Sequence, residues 1–274
     1  MSSPLTPRAK GFARTAAGHR IYFEVGGAGP PLVLVRGLAR SSSYWLKVRA
    51  LLERERTVIV LDNRGVGRSD TPPFPWSTED MADDVAAVLR ESGVQRADVL
   101  GISLGGMIAQ HLALRHPHRV DRLVLACTTP GGRRARPTPR AAALALARAT
   151  LMPVAEGIRF SAPWVLGEEA LRARPEIVDV WVAIAEREPR SRAGVLGQLL
   201  AAARHDAWDL LPHLPHPTLC VTGDADRLIP PENSRLLAER IPRASLRILP
   251  GAGHDFPTER PDETVRVVGE FLSR

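Results

Sequence analysis

The chain has 274 residues, 44% hydrophobic and 24% charged, and a formal net charge of +7 at pH 7. These proportions fit a globular chain with its own core and set aside disordered and fibrous classes; no run reaches the roughly 18 apolar residues of a spanning helix. The positive charge is almost wholly arginine, since Lys10 and Lys47 are the only lysines, and it is interleaved with acids as in Glu53-Arg54-Glu55-Arg56. With few aromatic residues for stacking, that scatter argues against a nucleic-acid partner.

Met1 to Lys10 is polar and lacks the apolar stretch of a signal peptide, so the expectation is a frayed start on a cytoplasmic protein. Gly11 to Thr15 and Arg20 to Val25 alternate as exposed strands do, joined by a turn at Ala17-Gly18-His19. Continuous apolar runs follow at Leu32 to Val35, Thr57 to Leu61, Ala97 to Ile102 and Leu123 to Ala126. Such runs read as strands buried on both faces of a parallel sheet. Helices are expected between them over Ser43 to Arg54, Thr78 to Ser92 and Met107 to His116, the second capped by Ser77 with Glu79 and Asp80 in its first turn. Cys127 and Cys220 lie in or at the end of apolar runs, read as buried free thiols, and have no metal-ligand spacing.

The rhythm breaks over residues 133 to 205, where alanine-, leucine- and arginine-rich segments are punctuated by prolines and no strand pattern occurs. This reads as a helical insertion over the sheet. Its basic run, Arg133, Arg134, Arg136 and Arg140, is either a solvated face or a field that draws anionic substrates. Trp164 and Trp181, with Phe160 and Leu166, are expected to pack the insertion or line a pocket beneath it. The pattern resumes with a strand at Thr218 to Thr222, a helix near Glu232 to Arg240, a strand at Ser245 to Leu249 and a helix near Asp262 to Leu272. An α/β core over 1–132 and 206–274, interrupted by a cap over 133–205, accounts for both length and rhythm.

One stretch points to chemistry. Gly101-Ile102-Ser103-Leu104-Gly105-Gly106 sets a lone serine between glycines, directly after a strand-like run and before a helix. A sharp strand-to-helix turn projects such a hydroxyl into the open, where a base can activate it; the other reading is a capping serine in a tight turn. Candidate partners lie at later strand ends. Leu249-Pro250-Gly251-Ala252-Gly253-His254 ends in a histidine behind a glycine-rich turn, and Gly223-Asp224-Ala225-Asp226 offers two carboxylates. Asp226 is the expected orienting acid for His254, with Asp224 the alternative or an Asx turn. Ligands in open parallel sheets sit beyond the carboxyl ends of the strands, where all three residues fall.

The order Ser103, Asp226, His254 and these turns resemble the serine branch of the α/β-hydrolase fold superfamily, and Asp62-Asn63-Arg64-Gly65-Val66-Gly67-Arg68-Ser69 resembles its loop after the fourth strand. The resemblance, strongest to carboxylesterases and 3-oxoadipate enol-lactonase-like enzymes, covers nearly the whole chain. It implies a mostly parallel eight-stranded sheet flanked by helices, with a helical cap inserted after strand 6. It also implies a cofactor-free hydrolase of a small-molecule ester or lactone, with no metal, nucleic acid or membrane partner. The backbone N–H groups of Leu38 and Leu104 would form the oxyanion hole. A lyase, cyclase or acyltransferase on the same fold, or a non-catalytic ligand-binding homologue, are the alternatives. Arg36 departs from the family's usual histidine. It either braces its loop through a carboxylate or reaches the pocket to bind a substrate anion.

Overall fold

A computed structural model describes residues 9–73, 75–189 and 191–273, so most of the expected frayed start lies outside the described residues. β1 (Ala9–Arg14) and β2 (Arg20–Gly26) form a hairpin, followed by β3 (Pro31–Val35), α1 (Leu46–Leu52), β4 (Thr57–Leu61) and α2 (Thr78–Glu91). β5 (Ala97–Ile102), α3 (Leu104–Arg115) and β6 (Val120–Ala126) complete the first part of the core. Next come α4 (Arg140–Leu151), α5 (Val154–Val165), α6 (Glu168–Ala173), α7 (Glu176–Arg187) and α8 (Arg192–Arg204), all before the chain re-enters the sheet. β7 (Thr218–Gly223), α9 (Glu232–Arg240), β8 (Ala244–Leu249), α10 (Phe256–Glu259) and α11 (Pro261–Leu272) finish it.

The eight strands form one sheet in the order β1-β2-β4-β3-β5-β6-β7-β8. β2 runs antiparallel to both β1 and β4, and the other neighbours are parallel. The apolar runs work as doubly buried strands should: in β3, Val33 and Val35 enter one core layer while Leu32 and Leu34 enter the other. The first layer packs beneath α2, α3 and α9, the second beneath α1 and α11. α3 is buried on every side over its first ten residues, as a central helix with no polar face must be. β3 lies between β4 and β5, so the connections diverge there and open a crevice at the strands' carboxyl ends.

The single helix expected over Ser43 to Arg54 is instead a 3₁₀ turn over Ser42–Trp45 followed by α1, with Leu46 at φ 43° between them. The break lets Tyr44 enter the core beneath the insertion while Trp45 enters the layer beneath α1. Ser42 is also fixed by Asp62 Oδ1, which accepts from both its N–H and its hydroxyl at 2.8 and 2.7 Å. The cap expected at Ser77 forms a reciprocal pair with Asp80. Cys127 and Cys220 are buried and free, and no helix among the described residues is long and apolar enough to cross a membrane. Arg133, Arg134, Arg136 and Arg140 are exposed on the surface of the insertion.

The inserted helices have their own core around Trp181, Ile158, Ala162 and Leu166. α8 docks backbone to backbone on the loop after β4: a β-carbon at Gly194 would overlap the Gly65 carbonyl oxygen. Gly194→Ala is therefore expected to lower the unfolding free energy by about 1–3 kcal/mol through overpacking. A urea titration reads this directly, and a midpoint equal to wild type would contradict the close approach.

Candidate active site

The chain leaves β5 and enters α3 with no room for a side chain two residues to either side of Ser103. A β-carbon at Gly101 would overlap the Gly105 carbonyl, and one at Gly105 would overlap the Val35 carbonyl. This squeeze holds Ser103 at φ 57°, ψ −123°, a strained conformation for a residue with a side chain. The Ser103 N–H donates to Ala126 O at 2.9 Å, and its carbonyl accepts from Thr128 Oγ1 at 2.7 Å, so the backbone is tied down while the half-buried side chain faces a cavity.

Asp226 and His254 meet beside that cavity, brought there by the turns after β7 and β8. His254 Nδ1 and Asp226 Oδ2 lie 2.8 Å apart, both side chains buried. The other oxygen, Oδ1, accepts from the Leu228 and Ile229 amides at 2.8 and 2.9 Å, which fixes the carboxylate's rotation. Asp224 instead accepts from the Gly251 N–H at 2.6 Å and supports the histidine turn from outside. Burial opposes a charged His254 imidazole, but the Asp226 carboxylate outweighs it and holds the pKa above the ordinary 6.5. His254 and Ser103 line the same cavity, although no hydrogen bond joins them among the described residues. Such bonds are often long before substrate arrives.

Leu38 lines the cavity, whereas the Leu104 side chain is buried in the core. Leu104 is the first residue of α3, where a helix's amides have no acceptor within the helix. The loop carrying Leu38 is held from below by Asn63, whose Nδ2 donates to Arg36 O at 2.9 Å. It is held from above by Gln198 of α8, whose Oε1 accepts from Ala39 N at 2.8 Å and whose Nε2 donates to Arg64 O at 2.9 Å.

Arg36 is 3% exposed and forms a bidentate pair with Asp255, at 3.0 and 2.7 Å, with its guanidinium also 4.9 Å from the Trp45 ring centre. Burial would raise the Asp255 pKa, but Arg36 outweighs it and holds the carboxyl below its ordinary range. Arg36 thus braces the loop after β3 against the histidine turn, the first of its two sequence alternatives. Asp255 and Gln198 were not legible as site residues: one is an ordinary acid after a histidine, the other a lone amide in an alanine- and leucine-rich helix. Arg40, in the same loop, also lines the cavity.

The cavity measures about 170 Å³. The insertion covers it with Leu146 of α4, Val154, Ile158 and Val165 of α5, and Val195 and Leu199 of α8. Neither tryptophan expected at a pocket wall lines it. Trp181 is 0% exposed inside the insertion's core because its ring is the largest apolar group there, and Trp164 is half-buried away from the cavity lining. Among the described residues, the trio spaced to hold a metal ion is Cys127, Asp226 and His254. Burial pushes the Cys127 thiol well above its ordinary pKa, and His254 Nδ1 is already engaged by Asp226, so the trio is a poor donor set.

Residues 30–261 match the family model described as alpha/beta hydrolase fold. The chain is 30% identical to a poly(3-hydroxyalkanoate) depolymerase of Ectopseudomonas oleovorans, covering 89% of this chain and 84% of that protein. It is also 30% identical to a 2-hydroxymuconate semialdehyde hydrolase of Pseudomonas sp. strain CF600, covering 100% and 97%. Among solved structures, a thermophilic esterase from Thermogutta terrifontis, solved with malate bound, superposes with a TM-score of 0.81 at 31% identity, covering 98% of each chain.

Removing one partner of the Arg36–Asp255 pair leaves an uncompensated buried charge. Asp255→Asn is expected to cost about 3–5 kcal/mol of stability, with most of it regained when Arg36→Met and Asp255→Leu are combined. Denaturant titrations of the single and double variants separate these outcomes. A double variant as unstable as the single one would show that the ion pair is not the source.

Proposed function

The chain belongs to the alpha/beta hydrolase fold family, and from that premise we propose that it hydrolyses a carboxylic ester or lactone through an acyl-enzyme on Ser103. The observation that carries this reading is the buried Asp226–His254 pair, 2.8 Å apart, opening on the cavity that Ser103 also lines. His254 Nε2 takes the Ser103 proton as Oγ attacks the carbonyl carbon, and Asp226 stabilises the imidazolium that results. The Leu38 and Leu104 amides receive the oxyanion, each worth about 3 kcal/mol of transition-state stabilisation. As the tetrahedral adduct collapses, the alkoxide leaves with the proton from His254. Water then attacks the acyl-enzyme through the same base and releases the acid and free Ser103.

Hydrolysis is favoured over a retired ligand-binding role because both terminal nitrogens of Arg36 are committed to Asp255, which keeps its guanidinium out of the oxyanion position. The relatives' names, a depolymerase, a hydrolase and an esterase, favour it over a lyase or cyclase. A small-molecule substrate fits the size of the cavity.

A panel of 4-nitrophenyl esters of varied chain length, alongside lactones, tests this reading. Ser103→Ala is expected to lose about 10⁶-fold in kcat and all labelling by a fluorophosphonate; retained turnover would overturn the nucleophile assignment. The acid limb of the pH profile follows from the His254 shift. Only neutral imidazole accepts the proton, and the folded pKa is raised, so kcat/KM climbs with pH through a midpoint above 6.5. Asp226→Asn removes the carboxylate that raises it, so the midpoint moves to lower pH and the rate falls by about 10⁴. A midpoint that does not move would sever Asp226 from the base.

A further inference from the structure

Arg40 follows Ala39, a residue held at φ 56°, and lines the cavity shared by Ser103 and His254. Its guanidinium lies between two aromatic rings, 4.4 Å from the Tyr44 ring centre and 4.3 Å from that of Trp181. The Tyr44 hydroxyl donates to Trp181 O at 3.1 Å, so the two walls of this clamp are locked together across the junction of core and insertion.

The charge inside the clamp is not neutralised. Arg36, Arg49, Arg56 and Arg64, the other arginines drawn into the interior near the strand ends and helices, each pair with a carboxylate at 3.0 Å or less. Arg40 forms no such ion pair among the described residues. Asp255 attracts it, but Asp255 is already held by both nitrogens of Arg36, which in turn repels Arg40. Glu188, which also lines the cavity, accepts from the Ser43 hydroxyl at 2.5 Å and forms no ion pair with Arg40 among the described residues. Burial lowers the Arg40 pKa against the opposing pull of Tyr44 and Asp255. Aromatic faces hold a guanidinium in place without neutralising it, the Tyr44 hydroxyl adds a neutral hydrogen-bond partner but no counter-charge, and a planar guanidinium suits a carboxylate.

Building on the reading of Ser103 as the nucleophile, we propose that Arg40 is a specificity-determining residue that binds a carboxylate carried by the substrate. Around it, the wall supplied by α4, α5 and α8 is mostly apolar, with Thr150 and Ser161 its polar members. The substrate class is therefore an ester or lactone in which a short hydrocarbon segment separates the scissile carbonyl group from an anionic end, such as a monoester of a dicarboxylic acid.

Mono-4-nitrophenyl esters of succinate, glutarate and adipate, compared with neutral 4-nitrophenyl butyrate, test a carboxylate on the acyl side. Comparing 4-acetoxybenzoate with phenyl acetate tests the leaving-group side. In at least one comparison the native enzyme is expected to favour the anionic ester through a lower KM. Arg40→Gln should lose about tenfold more in kcat/KM on that ester than on its neutral counterpart, chiefly in KM, and Arg40→Lys should restore part of the loss. Equal losses on both esters, or a native enzyme that prefers neutral ones throughout, would overturn the proposal. Calorimetric titration of Ser103→Ala with glutarate and with succinate gives a readout that needs no turnover. Binding that disappears when Arg40→Gln is added supports the carboxylate site even if no ester is cleaved, in which case the hydrolase reading alone fails. Turnover of neutral esters without anionic preference or dicarboxylate binding leaves the hydrolase reading standing and removes this one.

Discussion

The close passage of α3 across the ends of β3 and β5 is the constraint on which the rest of the site depends. With Gly105 against the Val35 carbonyl and Gly101 against Gly105, the helix starts one residue after Ser103 and beside the loop that carries Arg36 and Leu38. The strain of that arrangement is local. Of the four non-glycine residues described at positive φ, Ala39, Ser103 and Cys127 lie just beyond the carboxyl ends of β3, β5 and β6. Each costs about 1–3 kcal/mol, offset by two apolar layers packed on both faces of the sheet.

The buried charges around this point secure loops. Arg36 with Asp255, Arg64 with Asp84, and Asp62 with Ser42 and Arg68 are groups that would be costly to desolvate alone. Each pair is bidentate or carries further hydrogen bonds, so the Coulomb gain is realised in one geometry, and that geometry fixes where the turns after β3, β4 and β8 lie. A hydrophobic replacement of equal volume could match their stability without fixing the same loop positions.

Much of this was legible in the amino-acid sequence, for physical reasons. Strands buried on both faces need unbroken Val, Ile and Leu runs, as in Thr57–Leu61, and a backbone forced close to another backbone needs glycine, as around Ser103. The sequence favours Asp226 over Asp224 as the partner of His254 but assigns the Asx turn to Asp224. In the fold Asp226 meets His254 and also makes the turn, accepting from Leu228 N, because its two oxygens serve different donors. The partner of Arg36 was not legible, because Asp255 is 219 residues away and only the folded turn after β8 brings it near. The insertion was readable as helical but not in detail. Its helices bury one side on each other and another on the cavity, so no single apolar stripe marks which residues face the substrate, and Trp181 proved to be core while Leu146 and Val195 are wall. The helix expected to begin at Ser43 failed because Tyr44 and Trp45 are claimed by different cores, a conflict invisible to periodicity.

The insertion is fastened at its middle and near its close. Gln198 near its close holds Ala39 in the loop after β3, and Glu259 holds Gly167, within the insertion, together with Gly253 in the histidine turn, accepting from their amides at 2.9 and 3.0 Å. A roof tied to two loops of the floor cannot be exchanged as a free module. Any succession of substitutions that refits it to a different guest tugs on the same two loops that position Leu38 and His254. On the proposed reading of Leu38 and His254, refitting the roof to a different guest therefore also alters the rate, and Gln198 and Glu259, which tie roof to floor, carry that coupling.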